Sequence, residues 1–164
     1  MWRQWLNTLA RQSGAPPWSP GLSASPGCTI APWTINAADV VVTESLAIDA
    51  RRTATGCSAI QIQGTSLTLS SDLTLYVDSF AASNGLRVRS ADGDAHRLRI
   101  IVTDGVPSCA NNTIRLIGDT DIDPLINLDL TTPGGVNTHG NASLNARIDA
   151  GCFATSGKVR LGVS

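Results

Sequence analysis

Good helix formers are scarce in this chain. One lysine (Lys158), one glutamate (Glu44) and one methionine (Met1) stand among 164 residues. Charge is carried instead by twelve aspartates and eleven arginines, and Thr, Ser, Val, Ile, Asn and Gly are plentiful, a palette that favours strands and turns. With two histidines and one glutamate, few general acid–base groups are on offer. The net charge of −1 supplies no basic field for nucleic acid, so that partner is excluded. No apolar run reaches the roughly 18 residues that a membrane-crossing helix needs. The opening "MWRQWLNTLARQ" lacks a continuous apolar stretch, so no secretory signal is expected within it. G-x-S-x-G, H-E-x-x-H and Walker sequences are missing as well.

Four cysteines are present: Cys28, Cys57, Cys109 and Cys152. None falls in C-x-x-C or at zinc spacing, which argues against a metal knuckle. An even, dispersed set in a polar strand-rich chain reads as two disulfides formed in an oxidising compartment. Three connectivities are open. The expected one is Cys28–Cys57 with Cys109–Cys152, each tying neighbouring segments.

Length and apolar content, 42%, suit about one domain with a real core. Residues 1–27 differ from the remainder. Trp2, Trp5, Leu6 and Leu9 recur at i, i+3, i+4 and i+7, predicting a short amphipathic helix. "SGAPPWSPGLSASPG" then forms a Pro/Gly/Ser linker. So short a helix must dock to persist, either as a cap on the main domain or as a partner-docking anchor.

From Cys28 to the end, residues 28–164, the period becomes two. Alternation runs through Leu46/Ile48, Ile60/Ile62, Leu73/Leu75/Val77, Leu98/Ile100/Val102, Ile126/Leu128/Leu130 and Val159/Leu161/Val163. About eleven strands of three to five residues are expected, separated by corners such as "SNG", "ADGD", "TPGG" and "THGN". Gaps between strands are as short as that from Leu69 to Leu73, which suits a solenoid better than a sandwich. The fold expected is all-β: a right-handed parallel β-helix (β-solenoid) with a short N-terminal helix, the β-sandwich being the alternative.

Asp119, Asp121 and Asp123 in "GDTDIDP" alternate, so an extended segment points all three one way. Calcium is the one cofactor such oxygen ligands suggest, although Pro124 and Leu130 break the EF-hand pattern. A solvated corner is the other reading. His139, between Asn137 and Asn141, has no nucleophile nearby in sequence and reads as a solvated corner residue; His96 reads as surface decoration. Asn111 and Asn141 match the glycosylation acceptor. Arg87, Arg89, Arg97 and Arg99 form one basic patch if their strands stack, or a surface balanced by Asp72, Asp78, Asp92 and Asp94.

Three stretches carry a likeness: "LRIIVTDG" at 98–105, "DIDPLINLDLTTPGGV" at 121–136 and "GNASLNARIDAG" at 140–151, preceded by "SLTLSSDLTLYVDSF" at 66–80. Over roughly residues 60–163 the chain resembles the β-solenoid surface domains of type IV pilus-associated and prepilin-like proteins. The resemblance implies a non-enzymatic structural or adhesive module, exported to the cell surface, with filament or envelope subunits as partners and glycans as a further class. It supplies no catalytic residue. The alternatives are a polysaccharide-active β-helix enzyme, whose candidates would be Asp119, Asp121, Asp123 and Arg115, and a virion or phage structural component.

Overall fold

A computed structural model describes residues 32–35, 39–49, 59–103 and 105–161. Within them lie β1 (Pro32–Ile35), β2 (Asp39–Val42), β3 (Leu46–Asp49), β4 (Ala59–Gln63), β5 (Ser66–Leu69), β6 (Leu73–Val77), β7 (Ser79–Ser83) and β8 (Leu86–Ser90). They are followed by β9 (His96–Val102), β10 (Asn112–Ile117), β11 (Thr120–Ile122), β12 (Ile126–His139), β13 (Ala142–Leu144), β14 (Ala146–Ser156) and β15 (Val159–Leu161). No helix occurs among the described residues.

Every described pairing is parallel, and from β1 to β9 each strand pairs with the one three places on. Two sheets result. One has six strands in the order β15-β13-β11-β8-β5-β2; the other has nine, running β1-β4-β7-β10-β12-β9-β6-β3 with β14 alongside β12. The sheets are curled, as in a half-barrel. The bend of the larger sheet lies in β12, whose first half (Ile126–Thr131) pairs with β9 and whose second half (Gly135–His139) pairs with β10.

This architecture corrects the expectation of a right-handed parallel β-helix with an N-terminal helix. The described chain is two parallel sheets, curled as in a half-barrel. The sandwich alternative falls too, because its sheets would be antiparallel. The physical reason is local. "TPGG" was expected to be a corner, but β12 runs through it for 14 residues, and β14 for 11. Pro133 sits where the register shifts between Thr132 and Gly135, at a bulge where its missing N–H breaks no ladder bond. Two limbs that a corner would have separated thereby become one sheet. The predicted helix over the first eleven residues, with Trp2, Trp5, Leu6 and Leu9, lies outside the described residues, as does the whole of the linker that completes the 1–27 segment.

The core is a set of stacked columns between the sheets. Leu46, Leu73, Leu98 and Leu128 lie in register, as do Ile48, Leu75, Ile100 and Leu130, and likewise Ile60, Phe80, Ile114 and Val136. All are buried, several completely. Within the stack each apolar side chain is sandwiched by its equivalents one rung above and below, about 4.8 Å away, so a mid-stack residue is covered from both sides. Corners stack backbone on backbone. Gly118 and Gly140 have φ of 93° and 96°, and a Cβ on them would lie 2.6 Å from the Gly85 nitrogen and 2.9 Å from the Gly118 oxygen, respectively. Only glycine satisfies both the conformation and the approach. The Gly/Asn-rich C-terminal sequence is scaffold at these positions.

Candidate functional site

With the core filled, the chemistry lies on the outward positions of the rungs. Alternation fixes which residues these are, and register fixes which of them meet. On the larger sheet, Thr74, Arg99, Asp129 and Arg147 form one outward row across β6, β9, β12 and β14. Arg97 is beside Asn127 one residue pair earlier. The Asp129 carboxylate accepts both neighbouring guanidinium groups, at 3.5 Å from Arg97 Nε and 3.4 Å from Arg99 Nε. Arg97 and Arg99 remain 47% and 44% exposed while Asp129 is 26% exposed, so the cations stand proud of the anion they share. A groove of about 280 Å³ runs here, lined by Arg97, Arg99, Asn127, Asp129, Asn145 and Arg147. Three cations face one carboxylate, leaving the groove positive.

The other half of the expected arginine patch is elsewhere. Arg87 and Arg89 are on β8 in the six-stranded sheet, so the four arginines do not share one face. Arg89 is balanced directly: its Nη2 lies 2.6 Å from Asp121 Oδ2, and its Nη1 donates to the Asp121 carbonyl. A second shallow groove on that sheet is lined by Asp119, Asp121, Asn141, Ser143, Lys158 and Arg160, with both signs interspersed.

The three aspartates considered for calcium alternate outward with buried Thr120 and Ile122 between them. They are drawn to different partners. Asp119 accepts the Asn141 amide N–H, Asp121 pairs with Arg89, and Asp123 accepts the amide N–H groups of Ser90 and Leu125. Among the described residues no three His, Cys, Asp or Glu side chains group as a metal site. Asp119 and Asp123 serve as corner clamps between rungs.

A disulfide joins Cys109 to Cys152, whose Cα atoms are 5.2 Å apart. It fastens the loop between β9 and β10 to β14. Gly151 beside it allows the chains to approach; a Cβ there would lie 3.2 Å from the Pro107 Cα. Cys28 and Cys57 lie outside the described residues.

Two histidine sites hold partners that sequence order did not show. His139 Nδ1 is hydrogen-bonded with the Ser156 hydroxyl, one rung above it. The pair is exposed and, among the described residues, no carboxylate is hydrogen-bonded to the ring, so it lacks the third group that orients a base for nucleophilic catalysis. Parallel register was the missing signal, since it juxtaposes residues 17 apart. At the β8–β9 corner, His96 Nε2 lies 2.7 Å from Asp92 Oδ1, an atom that also accepts the Asp94 amide N–H and the Ser90 hydroxyl. Those hydrogen bonds, His96 first, lower the Asp92 carboxyl from 3.8 to about 2. The arrangement closes a turn and leaves no group free to react.

No helix among the described residues is long and apolar enough to cross a membrane. Comparison of the chain with family models, curated proteins and solved structures finds no match.

Proposed function

We propose that this chain is a non-enzymatic structural or adhesive module of a cell surface or surface filament, and that it engages an anionic polysaccharide through the arginine groove of the larger sheet. The observation that carries this reading is the sharing of one carboxylate, Asp129, by two half-exposed guanidinium groups with a third arginine in the same row. Parallel register places Arg99 and Arg147 two rungs apart, about 9.6 Å, along the groove. A polymer bearing regularly spaced carboxylates or sulfates matches that spacing, and guanidinium groups bind such anions bidentately. The Cys109–Cys152 bond supports an oxidising destination outside the cytoplasm.

Binding of polygalacturonate and of a neutral glucan tests this, by calorimetry at low salt and again at about 0.5 M, where exposed charges are screened. The expected result is salt-sensitive binding of the polyuronate alone, lost in R97A/R99A and kept in R160A on the other sheet. Equal binding by R97A/R99A would overturn the groove. Release of new reducing ends would overturn the non-enzymatic reading.

A further inference from the structure

The last rung of the stack is unlike those beneath it. Among the described residues β14 pairs with β12 alone, and β15 with β13 alone. The core columns end there with Ala146 over Leu128, Ile148 over Leu130 and Phe153 over Val136. Ala146, Ile148, Ala150 and Val159 are partly buried, and Phe153 is 38% exposed. A free parallel edge with an uncovered apolar layer invites strand pairing.

The sequence of that edge says what fits it. Residues 146–150 read Ala-Arg-Ile-Asp-Ala, with Arg147 and Asp149 outward and the other three inward. Neither Arg147 nor Asp149 forms an ion pair among the described residues. We infer that β14 pairs antiparallel with β14 of a second copy about a two-fold axis at Ile148. In that register Ile148 meets its equivalent, Ala146 meets the partner's Ala150, and Arg147 meets the partner's Asp149, twice by symmetry. Opposed residues of an antiparallel pair share a face, so the salt bridges lie outward and the apolar residues inward. The pentapeptide is its own complement with charges exchanged.

A closed pair is favoured over an open-ended stack by the other end of the molecule. There the first-rung side chains Val40, Val42, Leu46 and Ile48 are already buried, so among the described residues the apolar layer left for a second copy to cover is at the end that β14 forms. An interface using the same patch on both subunits closes at two. The inference shares Arg147 with the polysaccharide reading but is tested apart from it, because R97A/R99A removes the groove's other two cations and leaves Arg147 and Asp149 in place.

Light scattering after size exclusion, on the full oxidised chain between about 1 and 100 µM, reads it directly. The wild type is expected at twice 17.1 kDa. R147D and D149R each place like charges opposite one another and should raise the dissociation constant about tenfold or more. R147D/D149R restores the crossed pairs and should restore the dimer. Mixing the R147D and D149R proteins should give a heterodimer, an outcome that no interaction within one chain can produce. A wild-type monomer at the highest concentration would overturn the inference and assign the open layer to another occupant, such as the chain's own N-terminal segment. A dimer indifferent to all three variants would move the interface elsewhere, and mass growing without limit would overturn closure.

Discussion

The two ends of the stack are built from the same alternating strands and finish differently. At the beginning, Val40, Val42, Leu46 and Ile48 are no more than 6% exposed. At the close, the equivalent layer is partly open and one phenylalanine stands 38% exposed. The closing rung also tapers. The column Leu46, Leu73, Leu98, Leu128 ends in Ala146, and Thr132 is followed by Ala150. Small residues limit the apolar area left facing water. A layered core thus has no intrinsic end: each rung is stabilised by the next, and the last must be shrunk, stapled or covered.

Stapling gives the largest expected effect. Cys109 and Cys152 are 43 residues apart in sequence, so chain entropy alone puts the bond's contribution at about 4 kcal/mol. The C109S/C152S variant should lower the urea midpoint accordingly. Amide exchange should accelerate more in β14 and the 105–111 loop than in β4 and β7. Uniform acceleration would show that the two ends are held alike, and would dissolve the contrast between them.

Cavity formation separates the middle from the end more finely. Leu128, 1% exposed between Leu98 and Ala146, should cost about 3 kcal/mol when replaced by alanine. Ile148→Ala, in a layer with nothing described above it, should cost about 1 kcal/mol in dilute solution. Urea unfolding of both variants measures the ratio. Its collapse towards one at higher protein concentration would mean that association covers Ile148.

Much of the middle was legible from period-two alternation. Leu73, Leu75, Val77, Leu98, Ile100, Val102, Ile126, Leu128 and Leu130 alternate in the sequence and are buried. Phe80, Ala82 and Ile122 are buried as well but escaped notice, because Ala and Ser blur the alternation around Phe80 and aspartates flank Ile122. The long strands were not legible. "TPGG" has turn chemistry, and only tertiary pairing decides that Pro133 sits at a bulge. Nor was the arginine groove, since a strand's number in sequence does not say which sheet it joins: Arg89 and Arg97 are eight residues apart, and a corner sends them to different sheets. Residues that meet across parallel rungs lie 17 to 34 positions apart, as do His139 with Ser156 and Ile114 with Phe80. Local pattern carries no information at that range. Ala-Arg-Ile-Asp-Ala is readable locally, yet it acquires meaning only once β14 is known to be an edge.

The smallest expected effect tests whether acid loosens the ends or the middle first. Asp92 closes the β8–β9 corner, and its carboxyl is lowered to about 2 by hydrogen bonds from His96, the Asp94 amide and Ser90. A carboxyl depressed in the folded state contributes its stability in full above its ordinary value near 3.8, and loses it as pH falls through about 2. Because the group is solvent-exposed, the change should be local to the corner. The Asp94 and His96 amides should therefore gain exchange between about pH 4 and 2 in the wild type. In D92N they should exchange faster at neutral pH with no further acid step. If β14 instead opens before the corner in this range, acid loosens the end of the stack first and the Asp92 corner is not the weakest point.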